Sequence, residues 1–464
     1  MTGMRHIVLW AALMAVSVPL CLAQQRLTLE KCRQMAAEGS ADLRNAELDV
    51  VAAGLQKQEA LAEYFPSVSA MGLAFHALNP MLHITMTDVL GRSDNSLYLQ
   101  QRLREAAAPY EVKTQWDALH YGYSGALTLT QPVFAGGRIV NGNALAALGQ
   151  RAAGVKASLQ RRTTLQQVDK DYYLILSLQE KQATLEGLQA LLDTVQRNVA
   201  GAVAAGVAVK TDLSAVQIRR SELKAGMNKL ATGLKLAKMN LLNSIGVRYN
   251  PYPTLPSDLP SLDSFEFTGS LDFLPSPKDV YVDEGQLAAS LDETRLLDMQ
   301  VEAGVLKKRM IVGESLPSLA FGASYGFSKL LDSPRWNGAM YAVLQIPITH
   351  WGKNSRKIQR QDIEIQKARN QREYLGQQLV LQMRQLYMEL TCAWDQIAIA
   401  REGEALAAER LAQVREGYTA GVNTVMDLMQ SESALRDATQ ARIDACLDYM
   451  TALEAYRLRS GSGK

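Results

Sequence analysis

The feature that most narrows what this chain can fold into is an internal repeat at an offset of 215 residues. Gln131-Pro132-Val133 is matched by Ile346-Pro347-Ile348, Gly137-Arg138 by Gly352-Lys353, Gly206-Val207 by Gly421-Val422, and Asp212-Leu213 by Asp427-Leu428. Proline to aspartate is 80 residues in both copies. One such match is within reach of chance, but four at a constant separation require a duplicated structural unit.

Between those landmarks the pattern is helical. Leu379, Met383, Leu386, Leu390, Ala393, Ile397, Ala400, Glu404, Ala407, Leu411, Val414 and Tyr418 alternate steps of four and three, with Glu404 the one polar member. A period of about 3.5 winds packed helices into a left-handed coiled coil. In the first copy Leu185, Leu188, Leu192, Val195 and Val199 keep the same spacing. A helix over 138–205 would be about 100 Å long at 1.5 Å per residue, and 353–420 matches it. Gly206 and Gly421 are natural C-terminal caps, so tip turns are predicted over 206–211 and 421–426, with return helices over 212–246 and 427–459. Shorter helices, from about Thr28 to Tyr64 and over 287–314, complete the length beside each rod.

Each copy also holds two stretches of period two, predicted as strands over about 66–77 and 121–133, then 317–328 and 336–348. Tyr121, Tyr123, Leu127 and Leu129 alternate with Ser124, Thr128 and Thr130, and Leu319, Phe321, Tyr325 and Phe327 with Ser318, Gly322 and Ser324. Strands of about ten residues, apolar on one face and small or polar on the other, are what a membrane barrel uses, with outer-membrane lipid as the partner of the apolar face. Four strands cannot enclose an aqueous lumen, so several copies are implied. Pro132, Gly137, Pro347 and Gly352 mark the strand-to-helix junctions.

The first repeat (24–248) carries about 36 more residues between its strands than the second (287–464), and the excess, about 78–118, is polar enough for an exposed extracellular loop. Residues 249–286, with prolines at 251, 253, 256, 260, 275 and 277, read as a linker or girdle and not as core.

Residues 1–23 combine Arg5, an apolar run and Ala23 before Gln24, the pattern of a secretory leader. A lipoprotein signal at Cys21 is disfavoured by the bulky Leu20 before it. No later apolar run reaches the roughly 18 residues of a membrane helix. Lys plus Arg number 49 against 47 Asp plus Glu, a balance that points to no nucleic-acid partner. Cys32, Cys392 and Cys446 form neither a disulfide framework nor a zinc pattern; a Cys32–Cys446 bridge is one option and free thiols in helices the other. His76, His83, His120 and His350 lack metal-site spacing, and Ala135-Gly136-Gly137-Arg138 lacks that of a phosphate loop. No metal, cofactor or enzymatic activity is expected.

With Leu129-Thr130-Gln131-Pro132-Val133-Phe134-Ala135-Gly136-Gly137-Arg138, the duplicated hairpin, and the tips Gly206 to Gln217 and Tyr418 to Gln430, the chain resembles the TolC-type outer-membrane efflux proteins over nearly its whole mature length. The resemblance implies a mainly α fold with membrane β: a homotrimer whose twelve strands form one barrel, continued by a coiled-coil tunnel across the periplasm. Its tips, here Gly206, Val207, Gly421 and Val422, would dock on a periplasmic adaptor (membrane fusion) protein serving a proton-driven or ATP-driven inner-membrane transporter. It also implies a pore closed near the tips, by Tyr418, Asp427 and the pair Thr211-Asp212. Asn423 and Gln430 depart from an arginine and a second aspartate of the best-known member. Asp427 then reads either as one of three carboxylates narrowing the pore or as a cap on its return helix. The alternative to a passive export conduit is an exported coiled-coil stalk or adhesin; cargo stays open.

Overall fold

The computed structural model describes residues 25–110, 115–118, 121–252, 258–271, 274–329, 334–348 and 351–460. The expected leader, Cys21, His120 and His350 lie outside them. The first repeat runs β1 (Gln25–Leu27), α1 (Leu29–Gly39), α2 (Ala41–Ala62), β2 (Ser67–His76), β3 (Leu82–Thr85), α3 (Met86–Leu90), α4 (Asp94–Ala107), β4 (Gln115–Ala118), β5 (Tyr121–Ala135), α5 (Arg138–Ala204) and α6 (Lys210–Ser244). After β6 (Phe265–Phe267) the second runs α7 (Glu284–Ser290), α8 (Asp292–Gly313), β7 (Ser318–Lys329), β8 (Arg335–Gln345), α9 (Lys353–Thr419) and α10 (Val425–Ser460). Helices α5 and α9 are each 67 residues long, and no described helix is both long and apolar enough to cross a membrane. The chain divides into two compact units.

The sheet unit comprises Ala53–Gln150 and Met299–Arg369. Its four-stranded sheet has the order β2-β5-β7-β8 and is antiparallel throughout, so β5 and β7 join the two repeats. Direct cross-strand partners share a face. Leu127 lies opposite Tyr325, and Gly125 opposite Phe327, which lies opposite Trp336. That face is apolar and aromatic: Trp336 stacks on Tyr325 at 5.5 Å, and Tyr123 meets Phe327 edge-on at 6.1 Å. The reverse face of the two central strands carries Gly, Ser, Ala and Thr. Strand β2 breaks the pattern. Pairing of Ser67 with Thr130 and of Phe75 with Gly122 turns Met71, Leu73 and Phe75 onto the small-residue face. Gly122 permits this, since a Cβ there would lie 2.6 Å from the Phe75 ring.

Each long helix starts from a left-handed residue. Gly136 (φ 63°) and Gly137 (φ 75°) precede α5, and Gly352 (φ 74°) precedes α9. A Cβ on Gly136 would stand 2.2 Å from the Gly313 carbonyl oxygen, so the end of β5 and the end of α8 meet backbone to backbone. The ladder between β5 and β7 shifts register between Pro132 and Phe134, where proline has no N–H to give.

Residues 78–118, expected as a loop, carry structure of their own. β3 pairs with β4, and α3 and α4 are short capped helices. The Asp88 carboxylate accepts from the Thr85 amide at 2.9 Å and its hydroxyl at 2.7 Å, and Ser93 Oγ accepts from the Ser96 amide. Such local side-chain caps stabilise helices too short to show a long apolar period.

The helical unit takes the described residues up to Ala52, Arg151–Asp298, and those from Asn370 onward. The short helices of both repeats are broken. Ser40 is extended between α1 and α2, and Leu291 between α7 and α8, while Asp283 caps Gln286 and starts the second helical stretch at Glu284. The segment 249–286 departs from its expectation in one respect, since it does contribute to the core: β6 pairs in parallel with β1, and Leu262, Phe265, Phe267 and Leu271 lie in the main core. Proline stops helices but leaves the apolar side chains between free to pack. Tyrosine hydroxyls fasten the segment, Tyr172 donating to the Thr268 carbonyl at 2.6 Å, Tyr449 to the Pro275 carbonyl, and Tyr456 accepting from the Val282 amide at 3.0 Å. Cys32 and Cys446 are both buried and no disulfide joins them, and burial pushes the Cys32 thiol up to about 12.

Two ionic clasps join distant helices in this unit. Buried Asp169 on α5 receives Arg33 of α1 through two bonds of 2.7 and 2.9 Å, and Arg33 also reaches Glu454 of α10 at 2.8 Å. Glu404, the polar member of the α9 stripe, holds Arg442 of α10 at 2.7 Å, and Arg442 reaches Glu180 of α5 at 2.6 Å. The stripe's Met383, Leu390 and Ile397 are buried.

Candidate functional site

Both hairpins end in the same local device. Glycine in the left-handed region (φ 75° at Gly206 and at Gly421) reverses the chain. The next amide reaches back five residues, from Val207 to Ala202 and from Val422 to Gly417, while the glycine amides bond the Val203 and Tyr418 carbonyls. Orphan carbonyls of α5 and α9 are thereby satisfied. The side chains left at the turns are apolar and exposed: Val207, Val209, Val422 and Met426.

The return helices start differently. In α10 the Asp427 carboxylate accepts from the Thr424 amide at 3.0 Å and its hydroxyl at 2.6 Å, and Thr424 Oγ1 accepts from the Asp427 amide at 3.2 Å. This reciprocal cap holds Asp427 below its ordinary range, through the Thr424 hydroxyl, the Thr424 amide and the Arg410 charge. In α6 the N-cap is Val209, without a side-chain cap, and the Asp212 amide bonds the Val209 carbonyl. Of the two roles open to Asp427, the cap is present within one chain, and its exposure leaves the carboxylate facing solvent.

Tyr418 is half-buried against Val195, Val199, Val216, Val425, Leu428 and Met429, so α5, α6, α9 and α10 meet in one apolar cluster at the tips. Asn423 turns back on its own hairpin, its amide donating to the Val414 carbonyl at 3.1 Å. Thr211, Asp427 and Gln430 are exposed. Among the described residues no side-chain hydrogen bond joins Tyr418 to Thr211 or Asp212.

One residue escaped the sequence reading. Glu432 on α10 is 3% exposed, and its Oε1 has no hydrogen-bond partner among the described residues. Burial raises it to about 7, against the opposing charges of Arg219 from α6 and Arg415 from α9. The signal was available: Val425, Leu428 and Glu432 step by three and four, which places a carboxylate on an apolar stripe. Arg219 itself is engaged with Glu222 at 2.9 Å and with the Ser433 hydroxyl.

A sheet with one apolar face and two unpaired edges, its strands leading into two equal helices that end in exposed tips, has the fold of an outer-membrane channel subunit. Residues 313–462 match the family model described as Outer membrane efflux protein. Solved structures share the fold across nearly the whole length. They include a membrane protein of Pseudomonas aeruginosa (16% identity, 93% of each chain, TM-score 0.70) and VceC of Vibrio cholerae (14%, 93% of this chain and 96% of that one, 0.69). The Campylobacter jejuni CmeC outer membrane channel is similar too (13%, 94% of this chain and 86% of that one, 0.72). No curated protein matches the sequence.

Proposed function

We propose that this protein is the outer-membrane component of a tripartite export system, a passive conduit assembled from three copies. The observation that carries the reading is the sheet: four strands with an apolar, aromatic face and with β2 and β8 each paired on one side only. In lipid an unpaired edge is too costly to persist, and four strands cannot enclose a lumen, so the edges of several copies must pair with one another. The exposed Val207, Val209, Val422 and Met426 suit the tips to an adaptor of apolar character, which would link the conduit to an inner-membrane transporter. Pore closure falls to the tip cluster around Tyr418, with Asp427, Gln430, Thr211 and Asp212 as its polar neighbours and Asn423 holding the turn.

The test is to purify the protein in detergent, measure its mass, and reconstitute it in planar bilayers. A trimer whose mobility changes on boiling and which conducts ions is expected. A chain that stays monomeric and leaves the bilayer insulating would support the exported-stalk alternative.

A further inference from the structure

The duplicated unit places Trp351 at the position of Gly136, and the two residues share an unusual backbone. Gly136 has φ 63° and Trp351 φ 46°, and Trp351 is the one non-glycine residue with positive φ among those described. An L side chain in that region is strained, and such strain persists where the surrounding chain over-determines the backbone. The surroundings differ as sharply as the side chains. Gly136 is pressed against the Gly313 backbone with no room for a Cβ, whereas the Trp351 indole is 97% exposed in the chain.

What lies on either side of Trp351 says what covers it. The apolar face of β8 runs through Trp336, Met340 and Leu344, and Ile346 and Ile348 keep the same parity; Ile348 is 89% exposed. On the other side stand Lys353 and Lys357, which with Arg138, Glu314 and Asn354 line a cavity of about 310 Å³. Trp351 therefore sits where an apolar stripe gives way to a cationic, polar level. The twelve steps from Trp336 to Ile348 rise roughly 40 Å along an extended chain, or about 30 Å along the axis of a barrel whose strands tilt by about 40°. That is close to the apolar band of such barrels, about 25 Å, which is flanked by aromatic girdles.

We propose that Trp351 is an interfacial anchor, seated among the headgroups of the periplasmic leaflet of the outer membrane, with Trp336 at the opposite end of the same lipid-facing stripe. The indole has an apolar body and an N–H that can bond headgroup oxygens, which is why tryptophan collects at that level. The left-handed turn leaves the indole exposed just before α9 begins. The first repeat has no such anchor because its equivalent position is filled by the end of α8.

This inference rests on the outer-membrane reading, and one experiment separates the two. Full-length proteins retaining only Trp351 or only Trp336, with Phe at the other tryptophans, are reconstituted into phosphatidylcholine vesicles with and without brominated acyl chains. Both indoles are expected to lose about half or more of their emission in brominated lipid, with Trp351 quenched more strongly by bromines near the headgroup than by those near the bilayer centre. Quenching of Trp336 without quenching of Trp351 overturns the anchor and leaves the barrel standing. Unchanged emission of both indoles in brominated lipid means the sheet is not in lipid, and the outer-membrane reading fails with it. Should the multiply substituted proteins not assemble, the difference in quenching between wild type and Trp351→Phe reads the same quantity.

Discussion

Glu432→Gln should make the tip insensitive to pH. The carboxyl is buried on α10 between α6 and α9, with one oxygen unpartnered, and sits at about 7 where a free glutamate sits at 4.5. A group whose native value is raised binds its proton more tightly in the folded state. Its contribution is therefore fully present below pH 4.5, where both states are protonated, and is lost as pH rises to about 7. Above that, the ionised carboxylate is held in a site that solvates it poorly, and the cost is about 3 kcal/mol. The charges facing it, Arg219 from α6 and Arg415 from α9, oppose the rise without cancelling it. Hydrogen exchange over the start of α10, corrected for the intrinsic pH dependence of exchange, reads this directly. Wild-type protection should fall by on the order of 100-fold between pH 4.5 and pH 8, and Glu432→Gln should flatten the profile at the high, acid-side level. A variant with the wild-type slope, or a wild type without one, would show that ionisation of Glu432 does not control the stability of the tip.

Three further outcomes follow from named contacts. Asp427→Ala removes the cap on Thr424 and should loosen the first turn of α10 by about 1 kcal/mol, seen as faster exchange there and more frequent opening in single-channel records, with α6 unaffected. Arg33→Met leaves Asp169 buried without its partner and should cost about 3–5 kcal/mol, measured as a lower melting temperature of the assembled protein that acid pH partly restores by protonating that carboxyl, whose affinity for a proton burial already raises. Gly136→Ala places a Cβ 2.2 Å from the Gly313 carbonyl oxygen at a positive φ; it should prevent assembly of the heat-modifiable form, whereas Gly149→Ala, which meets nothing, should be silent.

Features that depend on period and spacing are legible along the chain alone. Alternation along β5 and β7, the four-three stripe from Leu379 to Tyr418, and the 80-residue interval repeated in both copies are properties of neighbours along the chain. Local sterics read them directly as strand, coiled-coil helix and a twice-used unit. The apolar face, the need for further copies and the family resemblance all descended from those patterns. Where contacts join residues far apart, the pattern was silent. Nothing in the spacing of Met71, Leu73 and Phe75 says which face β2 will present; pairing with Gly122 and its neighbours decides it, because a register shift of one residue turns every side chain over. The prolines of 249–286 suggested a linker or girdle outside the core, and only the fold shows Leu262, Phe265 and Phe267 packed within it. Arg33 looked like any surface cation before the fold placed Asp169 and Glu454 around it, 136 and 421 residues away. At the tips the stepping of Val425, Leu428 and Glu432 was legible, but only the packing of four helices against one another made a common cluster of two hairpins and closed over the carboxyl. Burial and pairing across such distances depend on which faces meet, and that is settled by the assembled core, not by any segment of the chain.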